Sequence, residues 1–208
     1  MYKGIAGSEG IGIGTVVLIE EHEINIETKR VEETGAEIER LQNAIEKFVA
    51  DTNVMAEKMD ITVGKKDADI LRGHIQMLQD PTIEEQITAL IVSEKITAEK
   101  ALDQVLEQTA EIFAQIPDEL LQQRATDFRD IKARILKILL GIEDYDISAA
   151  PAGTVLVAHD LTPSMTAGIV AENIAGILTE VGGRTSHSAI LARAMEIPAV
   201  LSIDGICT

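Results

Sequence analysis

The chain has 208 residues, 46% of them hydrophobic, and a formal charge of −17 from 35 acidic and 18 basic side chains. That length allows one large or two small domains, each able to bury a core. The acidic balance, with three Phe, two Tyr and no Trp, argues against nucleic-acid binding, which needs a basic surface and stacking rings. A single cysteine, Cys207, excludes an internal disulfide framework and any CxxC site. No charge-free apolar run of about 18 residues and no basic leader followed by an apolar core is present, so no membrane span or signal peptide is indicated. The expectation is a cytoplasmic protein.

Residues 4–19 alternate small and apolar residues and end in the β-branched run Thr15-Val16-Val17-Leu18-Ile19, which predicts strands joined by a glycine turn. Their glycine spacing satisfies neither G-x-G-x-x-G nor the P-loop pattern, so turns and close packing are preferred over phosphate binding. From Val31 to Met59 the apolar residues Ile38, Leu41, Ile45, Phe48, Met55 and Met59 recur by threes and fours, the period of a long amphipathic helix. A second helix is predicted over 67–79. Thr82 is read as capping a third and Thr97 a fourth; a longer helix follows Pro117 and stops at Gly141. Residues 24–143 thus form a bundle of helical hairpins.

At Pro151 the period changes. Strands at 154–158, 174–178 and 199–201 alternate with helices after Thr162 and Ser186, which predicts a parallel sheet with right-handed crossovers. Residues 1–23 and 144–208 are expected to form one α/β domain into which the helical block is inserted. Sites in such sheets lie beyond the carboxyl ends of the strands, so the turn at His159-Asp160-Leu161-Thr162 and the turn from Gly182 to His187 should lie side by side.

The stretch Gly182-Gly183-Arg184-Thr185-Ser186-His187-Ser188 is the candidate centre. It leaves a strand through a tight turn and enters a helix, whose first turn offers unpaired N–H groups and a positive dipole end to an anion. That field favours a neutral, nucleophilic imidazole at His187, suited to accept a phosphoryl group. Gly183, Thr185, Ser186 and Ser188 are candidate phosphate supports. Arg184 either pairs with phosphoryl oxygens or lies exposed. Thr162 is read as orienting the imidazole, as capping its helix, or as both. No G-x-S-x-G elbow supports a serine hydrolase, and the four histidines lack zinc-ligand spacing, so no metal site is expected. In Gly73-His74-Ile75-Gln76-Met77-Leu78 the apolar residues spread too widely for one buried stripe; a docking surface and a helix buried on two sides are equally good readings.

The run from Gly182 to Ile190 with Ala192-Arg193 resembles the phosphohistidine signature of the phosphoenolpyruvate-utilising enzymes. Gly4 to Gly14, Asp160-Leu161-Thr162-Pro163-Ser164 and Gly73 to Leu78 resemble Enzyme I of the bacterial sugar phosphotransferase system within that family. The resemblance implies a discontinuous swivelling phosphohistidine α/β domain carrying a helical HPr-binding subdomain. It implies that His187 takes a phosphoryl group from phosphoenolpyruvate on Nε2 and passes it to a histidine of HPr, with Thr162 hydrogen-bonded to His187. His74, Met77, Leu78 and Arg124 would lie on the HPr-docking side. A carboxy-terminal barrel that binds phosphoenolpyruvate and Mg2+ and mediates dimerisation would be missing, and the α/β domain would be cut short. The alternatives are a non-catalytic acidic module that binds a basic protein, and the histidine domain of a related phosphoenolpyruvate-utilising enzyme.

Overall fold

The computed structural model describes residues 2–19, 24–27, 29–143 and 145–208. The chain divides into two compact units: residues 1–22, 55–68 and 144–208, and residues 23–54 and 69–143. Residues 55–68 therefore group with the α/β unit, although periodicity had placed them in the helical block. Of the junctions drawn at 23/24 and 143/144, residues 23 and 144 lie outside the described residues.

The first helices in chain order are α1 (Thr34–Thr62) and α2 (Lys65–Leu78), of which residues 55–62 and 65–68 group with the α/β unit, and α3 (Pro81–Glu94), α4 (Ala98–Ala114) and α5 (Glu119–Leu140) of the helical unit. Asp80, not Thr82, caps α3: its side chain accepts the Thr82 N–H at 2.9 Å, and Pro81 occupies the first helical position, where its missing N–H costs nothing. Ile83, Ile87 and Ile91 recur every fourth residue on the face of α3 that is buried, and full burial of each such side chain stabilises by about 1.5–3 kcal/mol. Thr97 caps α4 as expected, and Gly141 ends α5 at φ 66°, a conformation that favours glycine. Phe113 of α4 stacks on Phe128 of α5 with ring centroids 5.5 Å apart. On the same pair of helices Lys132 reaches Asp103 at 3.1 Å and Glu107 at 2.7 Å.

The α/β unit holds a five-stranded sheet of β1 (Ile5–Ser8), β2 (Thr15–Ile19), β3 (Thr154–Ala158), β4 (Ile174–Thr179) and β5 (Ala199–Leu201), in the order β1-β5-β4-β3-β2. Pairs β2–β3, β3–β4 and β4–β5 are parallel and β1–β5 is antiparallel. The two amino-terminal strands are thus opposite edges of the sheet, not a hairpin. The glycines between them have another cause. A Cβ on Gly10 would strike Pro198, one on Gly12 the Ala175 carbonyl, and one on Gly14 the Gly153 carbonyl. These three partners lie at the amino ends of β5, β4 and β3, so the segment crosses the sheet against the Pro198 ring at Gly10 and against backbone at Gly12 and Gly14. Only residues without a side chain permit that approach. The short α6 (Pro163–Thr166) and α7 (His187–Ala194) follow β3 and β4 and lead from the opposite, carboxyl ends of the strands.

Candidate active site

The exits of β3 and β4 are bound to each other. The Glu180 N–H donates to the Ala158 and His159 carbonyls, both at 3.1 Å, and the Val181 N–H donates to the His159 carbonyl at 3.0 Å. A second tie joins them: His159 Nδ1 lies 2.9 Å from Glu180 Oε2, while the Gly205 N–H donates to Glu180 Oε1 at 3.1 Å. The hydrogen bond with His159 holds the Glu180 carboxyl below its ordinary range. Burial pushes the neighbouring Asp160 carboxyl up, against the Leu161 N–H that it accepts at 2.8 Å.

The turn that follows is fixed through its carbonyls. Thr179 Oγ1 donates to the Val181 carbonyl at 2.6 Å, Ser202 Oγ to the Gly182 carbonyl, and the Ser186 N–H to the Gly183 carbonyl at 3.0 Å. Gly182 sits at φ 106°, in the region open to glycine. Ser186 is the N-cap of α7, its Oγ accepting the Ala189 N–H at 3.3 Å and lying 3.0 Å from the buried Ser188 hydroxyl. Ser186 and Ser188 therefore shape the helix start. Gly183 is half-buried beside the turn, and Arg184 and Thr185 are exposed, which leaves both in reach of a ligand.

His187 is the first residue of α7 and half-buried. Its Nε2 lies 3.0 Å from Oγ1 of Thr166, a fully buried side chain. The same Thr166 hydroxyl donates to the Pro163 carbonyl at 2.8 Å. A hydroxyl has one proton, and a carbonyl only accepts. With that proton on Pro163, Thr166 accepts from Nε2–H, an arrangement that predicts a resting imidazole protonated on Nε2.

The hydrogen bonds of Thr162 do not go to His187. Thr162 caps α6, accepting the Met165 N–H at 3.4 Å, and its Oγ1 pairs with the Ser164 hydroxyl at 2.9 Å. Capping occupies the hydroxyl, and the orienting position falls one helical turn later, at Thr166. Sequence reasoning missed Thr166 and the His159–Glu180 pair. The signal for the first was available, since a residue that caps its own helix has its oxygen turned to the N–H groups of that helix.

In the helical unit His74 is fully buried, with Nε2 3.3 Å from Asp127 Oδ1 and Nδ1 3.5 Å from Asp130 Oδ2. Leu78 is buried too. Both belong to the bundle interior and not to a docking face, because α5 brings two carboxylates against the imidazole. Met77 and Arg124 differ: an Arg124 Nη1–H points at the Met77 sulfur at 3.4 Å, and both residues line a groove of about 820 Å³ with Gln76, Ile83 and Ile112. Among the described residues no three His, Cys, Asp or Glu side chains are grouped to hold a metal ion.

A mostly parallel α/β sheet with one antiparallel edge strand, presenting a histidine at a helix start in a chain with a separate helical unit, is the architecture of a known class. The family models of the PEP-utilising enzyme N-terminal domain and mobile domain match residues 3–124 and 150–208, and the chain belongs to the phosphoenolpyruvate-utilising enzymes. Within that family it resembles the amino-terminal part of phosphoenolpyruvate-protein phosphotransferase, Enzyme I. The protein of that name from Mycoplasma capricolum is 38% identical over 98% of this chain, and that from Priestia megaterium 39% identical over 96%. The chain spans 36% and 35% of the length of those two relatives. A solution structure of Enzyme I (nEIt) superposes with a TM-score of 0.86 at 37% identity, covering all of this chain and 85% of that one. The N-terminal domain of Enzyme 1 - Nitrogen shares the fold at 24% identity and a TM-score of 0.68.

Proposed function

We propose that this chain is a phosphohistidine relay: Nε2 of His187 receives a phosphoryl group and passes it to a histidine of a small phosphocarrier of the HPr kind. The observation that carries this reading is the imidazole itself, held at the first position of α7 by the Thr166 hydroxyl. When the donor is a phosphohistidine, Nε2 first gives up its proton, to solvent or by relocation to Nδ1; its lone pair then forms the P–Nε2 bond as the donor's P–N bond breaks and the donor nitrogen leaves with that electron pair. The two bonds are of one kind, so the step is nearly balanced in energy and the protein contributes alignment and charge stabilisation. The N–H groups opening α7 and the positive end of its dipole favour the added phosphoryl charge. Arg184 and Thr185 are exposed beside it and are proposed as further ligands.

The carrier would dock on the helical unit, at the groove lined by Met77 and Arg124. The chain's charge of −17 suits a basic carrier surface. Phosphoenolpyruvate, Mg2+ and dimerisation belong in this reading to the part of full-length relatives that the chain does not span, and a cytoplasmic setting is part of the proposal. Among the described residues no helix is long and apolar enough to cross a membrane.

Incubation with phosphorylated HPr should place an acid-labile phosphate on the chain, and His187→Ala should abolish it. Labelling that persists in His187→Ala refutes the assignment of His187. A wild-type chain that stays unlabelled, yet binds a basic protein in a strongly salt-dependent way, supports the non-catalytic interaction module instead.

A further inference from the structure

We propose that Arg193 is the positioning residue of the His187 turn, a strut that ties the turn to a bulge in β1; the inference rests on the reading of His187 as phosphoryl carrier. Ile5 pairs with Leu201 and Ala6 with Val200, but Ala199 pairs with Ser8, so Gly7 is an extra residue in the β1–β5 ladder. A bulged residue is left out of the ladder, and its carbonyl needs another partner. Arg193, in the last turn of α7, supplies it: Nη1–H donates to the Gly7 carbonyl at 2.8 Å. The other arm, Nη2–H, donates to the Arg184 carbonyl at 2.9 Å.

The bulge is a fixed point. A Cβ on Gly7 would stand 2.9 Å from the Leu201 side chain, and one on Gly4 would strike the Leu201 carbonyl, so β1 lies tightly on β5. The carbonyls of Val181, Gly182 and Gly183 are each bound by Thr179, Ser202 and Ser186. Arg193 binds the next one in line, three residues before His187. Holding the Arg184 carbonyl sets the direction of the peptide between Arg184 and Thr185, and with it the direction in which the start of α7 presents its N–H groups. A planar guanidinium with two arms in fixed relation does this in one piece; the single ammonium of a lysine does not.

The test compares Arg193→Gln and Arg193→Lys with the wild-type chain in two assays. In amide hydrogen exchange, the Ser186 and Ala189 N–H groups should exchange at least about tenfold faster in both variants, while those of β3 and β4 are unchanged. In single-turnover labelling by phosphorylated HPr, the maximal rate should fall roughly 10- to 100-fold, as for a misplaced reacting group, with the half-saturating HPr concentration unchanged. Wild-type exchange at Ser186 and Ala189 in either variant overturns the proposal, and so does full rescue by lysine. Faster exchange throughout the sheet also overturns it, because Arg193 would then support the fold and not the turn. A wild-type chain that takes no label refutes the phosphohistidine reading, and the exchange assay still decides whether Arg193 positions the turn.

Discussion

Thr166→Val keeps the shape of a fully buried side chain and removes only its hydroxyl, and so separates the orientation of His187 from the packing around it. Two hydrogen bonds are lost. The Pro163 carbonyl gives up the hydroxyl at 2.8 Å but keeps the Ala167 N–H at 3.2 Å, so it remains partly satisfied. Nε2 of His187 gives up its acceptor at 3.0 Å, but the ring is half-buried and water can replace part of that bond. At about 0.5–1.5 kcal/mol for each net hydrogen bond, the sum is roughly 1–3 kcal/mol of stability. The more direct assay is nitrogen-15 spectroscopy of the imidazole. The wild-type ring should show a protonated Nε2 whose hydrogen is protected from solvent exchange; Thr166→Val should lose that protection and Thr166→Ser should keep it. A wild-type ring protonated on Nδ1 alone, or unaltered protection in Thr166→Val, would refute the proton count around Thr166. A stability loss above about 4 kcal/mol would mean that the Pro163 carbonyl had been stranded.

Two further outcomes follow from features away from His187. Gly12→Ala places a methyl group against the Ala175 backbone, an overpacking that costs about 1–3 kcal/mol. Thermal denaturation should show a fall of roughly 3–10 °C, while the folded fraction is labelled at the wild-type rate because Gly12 lies at the amino ends of the strands. In the helical unit, burial pushes the Glu107 carboxyl up, but hydrogen bonds from Lys132 and Arg129 outweigh it and hold the group below its ordinary value of 4.5. A depressed carboxylate contributes stability that is present above pH 4.5 and lost as pH falls through the folded value. Denaturant titrations between pH 3 and 7 should therefore show a slope that Glu107→Gln flattens, with a difference of ~1 kcal/mol at neutral pH that narrows toward pH 3.

Local chemistry was readable where one stretch decides the outcome. Thr97 and Gly141 mark their helix ends because capping and a left-handed stop are properties of single residues. The turn from Gly182 to His187 was readable for the same reason, as two glycines followed by a serine cap. What stayed hidden depends on residues remote in sequence. His74 reads equally well as a surface or an interior residue until α5 brings Asp127 and Asp130 beside it. The amino-terminal glycines resemble a turn until Gly153, Ala175 and Pro198 are known to press on them. Thr162 and Thr166 lie one turn apart, the first as the cap of α6 and the second at its end; capping occupies the Thr162 hydroxyl, and Thr166 meets the imidazole of the remote α7.

The first strands of the chain form both borders of the sheet, and that fixes an order of assembly. Among the described residues β2 pairs only with β3, and β1 only with β5, so these pairings wait until residues 154–158 and 199–201 have left the ribosome. At about 5–20 residues per second that wait is on the order of 10 s. During synthesis the nascent chain therefore carries two unpaired strands and the apolar, glycine-rich link between them, the kind of segment that invites edge-to-edge association. The helical unit, residues 23–54 and 69–143, can complete its core in that interval, and the pairings of β1 and β2 form after it, when residues 154–158 and 199–201 come back to them.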